Sequence, residues 1–303
     1  MIEKTPFGAY ELYTAEEGDV RLRVTNLGAS VVSLRFRGRE TVLGYDDPSL
    51  YLEKDAYLGA AIGRYANRIG GAAFPLNGVL CRVTPNEGAN QLHGGPASYD
   101  KRPWRVAAAE DALRFELDSP DGDNGFPGAL RAAVTYTLLQ DGLRVDYEAD
   151  CDSDTVYAPT SHLYFDLSGR GSSLDARLRV NADRVVETGE GLIPTGRLLP
   201  AEGRFDFRAL RVVAEDYDDC FVLNGEDCCT LEDGGLRMDV RTDLPAVQIY
   251  TGTFLPAPHA ARRGLAIEPE FFPDSPNHPE FPSTLLRAGE RFHRWAEFRF
   301  REL

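Results

Sequence analysis

The sequence predicts an all-β protein built as one large antiparallel β-sandwich, and three observations predict it. Apolar residues recur at every second position in segment after segment. Turn residues stand between those segments. The 29 glycines and 19 prolines are spread along the 303 residues instead of collecting in one linker. Strict alternation is the mark of a strand with one face in a core and the other in water. It appears first at Val20-Arg-Leu-Arg-Val24, then at Leu113-Arg-Phe-Glu-Leu117 and through Leu143-Arg-Val-Asp-Tyr-Glu-Ala-Asp150. It returns at Leu236-Arg-Met-Asp-Val240 and at Ala296-Glu-Phe-Arg-Phe300. Gln140-Asp141-Gly142 and Asp233-Gly234-Gly235 sit where hairpins must reverse, with glycine supplying the positive φ such turns need. At about 150 residues per domain the length would allow two domains. With no long amphipathic helix, no repeat period and no linker, the expectation is a single domain over residues 1–303.

Composition removes several function classes. Hydrophobic residues at 43% and charged residues at 27% suit a soluble folded protein with a large core. A net charge of −15 repels phosphate backbones and anionic lipid, so neither nucleic acid nor a membrane is an expected partner. The N-terminal segment lacks the basic and apolar regions of a secretory signal, and no apolar run approaches bilayer length, which places the chain in the cytoplasm. Its five cysteines are an odd number with no C-x-x-C pair, so neither a disulfide framework nor a zinc knuckle is expected. Phosphate-loop, serine-hydrolase, zinc-protease and dinucleotide motifs are missing too. Any chemistry has to come from scattered residues.

Five stretches are too polar to be ordinary turns: Gly63–Ile69, Asn90–Gly95, Ser161–Asp166, Tyr217–Phe221, and Glu268–Glu270 with Pro273–Asn277. There are five histidines, and histidine is the side chain that exchanges protons near neutrality. His93 precedes a Gly-Gly pair that lets backbone approach a ligand, and His162 adjoins Leu163-Tyr164-Phe165, where strand meets pocket. Taken singly, a histidine is more often structural, and His259, His278 and His293 are read that way. Glu268 follows the apolar run Leu265-Ala266-Ile267, where partial desolvation would raise its pKa toward that of a useful base. On its own, a glutamate facing water at a strand end is the commoner arrangement. Asn67 and Arg68 could offer donors to hydroxyl oxygens, and Tyr65 and Trp104 could offer flat faces to a sugar ring, although core packing is their commoner role.

In order along the chain, these segments resemble the aldose 1-epimerase (galactose mutarotase) family. Gly63-Arg-Tyr-Ala-Asn-Arg-Ile69 with Phe74-Pro-Leu-Asn-Gly78 is similar to its G-R-x-x-N-R-I…F-x-L-x-G stretch, and Asn90-Gln-Leu-His-Gly-Gly95 with Asp100-Lys101 and Trp104 to its N-x-L-H-G-G…D-K…W. Asp121–Gly128, Ile193-Pro-Thr-Gly196, Gln248-Ile-Tyr-Thr-Gly252 and Phe272–Asn277 match in turn. Four blocks depart from the pattern: Ser161-His-Leu-Tyr-Phe-Asp-Leu167 for N-H-S-Y-F-N-L, Asp218-Asp-Cys-Phe221 for D-H-N-F, Tyr250-Thr-Gly-Thr253 for Y-T-G-N, and Glu268-Pro-Glu270 for E-T-Q.

The resemblance implies the family's sandwich fold and a cofactor-independent, metal-free isomerase that interconverts the anomers of a free monosaccharide. It implies Glu268 as base and His162 as acid, with Asn67, Arg68, His93, Asp218 and Gln248 holding sugar hydroxyls. It also implies that Glu268→Gln removes turnover while Glu270→Gln costs little. A hexose-6-phosphate epimerase is the nearest alternative; it would need cations beside the pocket, for which Arg262 and Arg263 are available. A sugar-binding protein without turnover and a two-histidine, one-glutamate metal site formed by His93, His162 and Glu268 are the others. Monomer and homodimer both stay open.

Overall fold

In the computed structural model, which describes residues 2–108, 112–169 and 171–303, the alternating segments are strands and nearly all pairing is antiparallel. The register obeys the period-two pattern. In Ala112–Ser119, Leu113, Phe115 and Leu117 are buried while Arg114 and Glu116 are half-buried, and Leu143, Val145, Tyr147 and Ala149 behave alike in Gly142–Cys151.

Three sheets carry the architecture. The first runs Glu3–Phe7, Tyr10–Glu17, Val20–Thr25, Val31–Phe36 and Arg39–Glu40 in chain order. The largest has nine strands, centred on Gly142–Cys151, Arg291–Glu302 and Leu236–Thr242, so the C-terminal strand lies in its middle. The third has six strands in the spatial order Tyr164–Phe165, Leu265–Glu270, Ala246–Tyr250, Asp218–Leu223, Ala182–Thr188, Pro194–Pro200.

One apolar cluster joins them. It contains Leu22 and Leu34 of the first sheet, Phe115 and Phe298 of the second, and Val247, Leu265 and Ile267 of the third. Aromatic pairs cross between sheets: Phe36 stacks on Phe300 at 5.8 Å, Tyr13 meets Phe115 at 6.0 Å and Phe165 meets Phe298 at 5.3 Å. Such pairs add about 0.5–1.5 kcal/mol each beyond the area they bury.

The strand Leu265–Glu270 is buried on both faces. Leu265 and Ile267 enter the shared core, while Ala266, Glu268 and Glu270 point the other way. Cross-strand register then sets rows on that second face. Glu268 lies opposite Gln248, which lies opposite Cys220, and Tyr250 lies opposite both Ala266 and Asp218. This face is the floor of a large cavity.

Candidate active site

The cavity has a volume of about 820 Å³, and its lining includes Asn67, Arg68, His93, His162, Asp218, Gln248 and Glu268. All seven residues singled out in the sequence therefore meet in one place, although 201 positions separate Asn67 from Glu268. Three come from the six-stranded sheet, Arg68 comes from the short strand Arg68–Ile69, and Asn67, His93 and His162 come from loops.

The loop groups are fixed by one another. Leu92 pairs with Arg68, and the His93 backbone N–H donates to the Asn67 carbonyl at 3.0 Å. The Asn67 backbone N–H in turn donates to His93 Nδ1 at 3.1 Å. Asn67 and His93 both hold left-handed backbone, at φ 59° and 50°. That conformation is costly for histidine and is kept where surrounding structure enforces it, which is common at functional sites. The following residue must be glycine, because a Cβ on Gly94 would lie 2.1 Å from the Gly63 carbonyl oxygen. The next member of the motif, Arg64, does not reach the cavity. It is 1% exposed and donates to the carbonyls of Pro127 at 2.9 Å, Gly128 at 2.8 Å and Ser119 at 3.1 Å, tying the site loop to the 119–128 turn.

The hydrogen bond to His93 Nδ1 decides a tautomer. A backbone N–H can only donate, so Nδ1 is the unprotonated nitrogen and Nε2 carries the hydrogen. His93, His162 and Glu268 do bring ligand atoms within 4.8 Å of one another. A metal-bound histidine, however, offers the lone pair of one nitrogen and donates N–H from the other. His93 has its lone pair already engaged and presents an N–H, so it suits a hydroxyl oxygen and not a cation.

His162 is held by backbone bonds, its N–H to the Ala60 carbonyl at 3.0 Å and its carbonyl to Gly59 N–H at 2.8 Å. Its ring stacks between Tyr57 and Tyr164, at 5.9 and 4.7 Å, and meets His93 edge-on at 5.4 Å. Burial in this aromatic box pushes its pKa down to about 3. His93 is driven down as well, first by burial and then by His162 and Arg68.

Glu268 is 2% exposed, with Oε1 3.5 Å from His162 Nε2 and no hydrogen-bond partner for Oε2. Burial raises its pKa well above the ordinary carboxyl range; Glu270 and Asp218 add to the rise and Arg68 opposes it. The strand-end glutamate facing water is thus replaced by a desolvated one. Gln248 donates from Nε2 to Asp218 Oδ1 at 2.6 Å, and its own Oε1 is buried without a partner.

Sequence reasoning missed two parts of the site. Glu87 grips Arg68 through two bonds, Nε to Oε2 at 2.8 Å and Nη2 to Oε1 at 2.9 Å, which aims the guanidinium. Tyr57 and Tyr250 also line the cavity. Tyr57 stands in none of the segments singled out above, and Tyr250, at the end of the strand Ala246–Tyr250, appeared only inside the overlapping Gln248–Gly252 and Tyr250–Thr253 blocks. Tyr65 and Trp104, offered above as sugar faces, are core residues instead. The Tyr65 hydroxyl bridges the Phe272 carbonyl and Ser275 N–H, and the Trp104 indole N–H donates to the Tyr99 carbonyl. His259, His278 and His293 lie outside the cavity, as expected of structural residues.

A family model described as aldose 1-epimerase matches residues 11–299. This chain belongs to the aldose 1-epimerase family. It is 37% identical to an aldose 1-epimerase of Escherichia coli K12 across 99% of both chains, and 33% identical to human galactose mutarotase across 97% of this chain and 94% of that one. The solved structure of an aldose epimerase homologue from C. elegans superposes with a TM-score of 0.93 at 27% identity, covering 97% of this chain and 100% of that one. A galactose 1-epimerase structure from Lactobacillus acidophilus, 24% identical, has the same fold at a TM-score of 0.90 over 100% and 98% of the two chains.

Proposed function

We propose that this member of the aldose 1-epimerase family interconverts α and β anomers of a free aldose, with Glu268 as general base and His162 as general acid. The observation that carries the assignment is the buried pair itself: a carboxyl and an imidazole 3.5 Å apart, both lining the one cavity. Ring opening needs one proton taken from the C1 hydroxyl and one given to the ring oxygen. The carboxylate takes the first and the imidazolium gives the second, leaving carboxylic acid, neutral imidazole and an open-chain aldehyde. Rotation about C1–C2 exposes the other carbonyl face, and the reverse transfers close the ring. The pair carries one proton throughout. Desolvation favours its uncharged form, so the dry site stabilises the state reached on ring opening. Each positioned proton-transfer group is worth about 10²–10⁴ in rate.

The remaining groups hold hydroxyls: His93 through Nε2–H, Arg68 through its guanidinium, Asp218 and Gln248 from the floor, and Asn67 beside them. The sugar's identity is read by these groups and by the loop walls.

Charge argues for a neutral substrate over a phosphorylated one. Arg68 is the one lysine or arginine among the described lining residues, and it is paired with Glu87; the lining also holds Asp55, Glu190, Asp218 and Glu268. Arg262 and Arg263, the cations available to a 6-phosphate, are bonded to Asp216 and Asp166 and do not line the cavity. Polarimetry, or anomeric proton NMR, across free aldoses and their 6-phosphates tests the reading. Acceleration with free sugars and none with phosphates is expected; the reverse preference refutes it, and no acceleration with either leaves a binding protein.

We also infer one domain over residues 1–303, supported by the core cluster that runs from Tyr13 to Phe300. Thermal unfolding should then show a single transition.

A further inference from the structure

Glu270 is a second carboxylate sealed within the floor face, and the mechanism does not use it. It is 0% exposed, and Oε1 accepts one hydrogen bond, from Asn67 Nδ2 at 3.0 Å, while Oε2 has no partner. Register places it opposite Ala246, one row behind the Gln248–Glu268 pair and on the same face, so the two side chains leave the strand roughly 7 Å apart. A buried carboxylate so close to another is poorly screened, and the pair cannot both ionise independently.

We propose that Glu270 is a positioning residue for the proton of Glu268: its charge keeps the last proton of the His162–Glu268 pair in place, so that the pair stays in its working, singly protonated form to higher pH. This rests on Glu268 and His162 being the acid–base pair. The order of ionisation follows from their donors. Glu270 has an amide N–H to stabilise its anion, whereas Glu268 has none, so Glu270 ionises first and Glu268 then ionises against an existing negative charge. The direction of the electrostatics agrees, with burial lifting both carboxyls and Glu270 lifting Glu268 further.

The other groups around the two carboxyls do not remove this effect. From the strand Asp218–Leu223, Asp218 has the same sign and the Cys220 thiol is neutral, its pKa pushed up by burial. From outside the six-stranded sheet, Arg68 has the opposite sign but is neutralised by Glu87, and His93 is held neutral, while His162 belongs to the pair itself. Tyr147, Tyr164 and Tyr250, from three further strands, are uncharged phenols with raised pKa values. All of these persist in a Glu270 variant, so the difference isolates Glu270.

The test is the pH dependence of kcat/KM from pH 6 to 10 in wild type, Glu270→Gln and Glu270→Ala, with the solvent-catalysed rate subtracted. At an effective dielectric of about 20, a like charge roughly 7 Å away moves a pKa by one to two units. The alkaline limb is therefore expected to fall by on the order of one pH unit in both variants. Glutamine keeps an acceptor for Asn67 and alanine does not, so only Glu270→Ala should also raise KM. If the limb stays put in Glu270→Gln while the rate drops uniformly, Glu270 is merely structural and the proposal is overturned. A wild-type protein without epimerase activity would instead remove the acid–base reading on which it rests.

Discussion

Replacing Glu268 by glutamine separates the chemical role of the base from its structural one. The amide has nearly the same volume, so no cavity opens on the strand Leu265–Glu270, and it can still bond the C1 hydroxyl without accepting its proton. Loss of one positioned base removes about 10²–10⁴ in kcat, or roughly 3–5 kcal/mol of barrier at about 1.36 kcal/mol per decade. KM should change much less, since the lost interaction belongs to the transition state. Stability should move the other way. In the folded protein the Glu268 pKa is raised by burial, so above the ordinary glutamate pKa the unfolded chain ionises while the folded one stays protonated. This penalty is absent at low pH and grows as pH rises, until the folded group also ionises. Glu268→Gln abolishes it. The variant is expected to match wild type in Tm near pH 4 and to exceed it near pH 8. Polarimetry gives the rate, calorimetric titration with the sugar gives affinity, and thermal melts at the two pH values give stability. A kcat within tenfold of wild type would refute Glu268 as base, and a lower Tm at pH 8 would refute the burial argument.

Other substitutions test the remaining parts. Arg64→Leu strands the buried carbonyls of Gly128 and Ser119, at about 1–3 kcal/mol each, and the part-buried one of Pro127. Its Tm should fall by on the order of 10 °C, and Arg64→Lys should recover little because an ammonium cannot span the same acceptors; a melt within a few degrees of wild type would contradict this. Glu87→Ala frees the Arg68 guanidinium and should raise KM about tenfold with a smaller change in kcat, since Arg68 binds and does not transfer a proton; an unchanged KM would show that Arg68 needs no support. His162 has a folded pKa of about 3, below its unfolded value, so wild type should lose stability as pH falls from 6.5 toward 3, by up to about 5 kcal/mol. Urea unfolding across that range should show a shallower slope for His162→Gln, and coincident slopes would mean that His162 is not held neutral.

What the sequence made legible was whatever a short window contains. Leu113 to Leu117 announces its strand by alternation, and Leu265-Ala266-Ile267 announces that Glu268 leaves a core. Convergence was not legible that way. His93, His162 and Glu268 stand 69 and 106 residues apart, and nothing in periodicity says that their loops and strands meet; ordered resemblance to a family said so. Glu87 and Arg64 show what neither route supplied. An acidic loop residue looks the same whether it is solvated or clamps an arginine 19 positions away. An arginine in a motif gives no sign that its partners are the carbonyls of a distant turn. Buried partners, not local pattern, define both roles.

The division of the cavity into a sheet floor and loop walls has a consequence for how such a site can change. Glu268, Gln248 and the strand carrying Asp218 are locked to one another by ladder register, and a slip of one residue would turn Ile267 inward in place of Glu268. The floor therefore tolerates no insertion and has no adjustable setting; it is kept whole or lost whole. The walls obey no such ruler. Tyr57, Glu87, Leu192 and Phe254, the last 86% exposed at the rim, each sit on loops that can lengthen or swap residues without moving a strand. The base proposed above thereby sits on a part of the molecule that cannot shift, and the rim can vary without moving it.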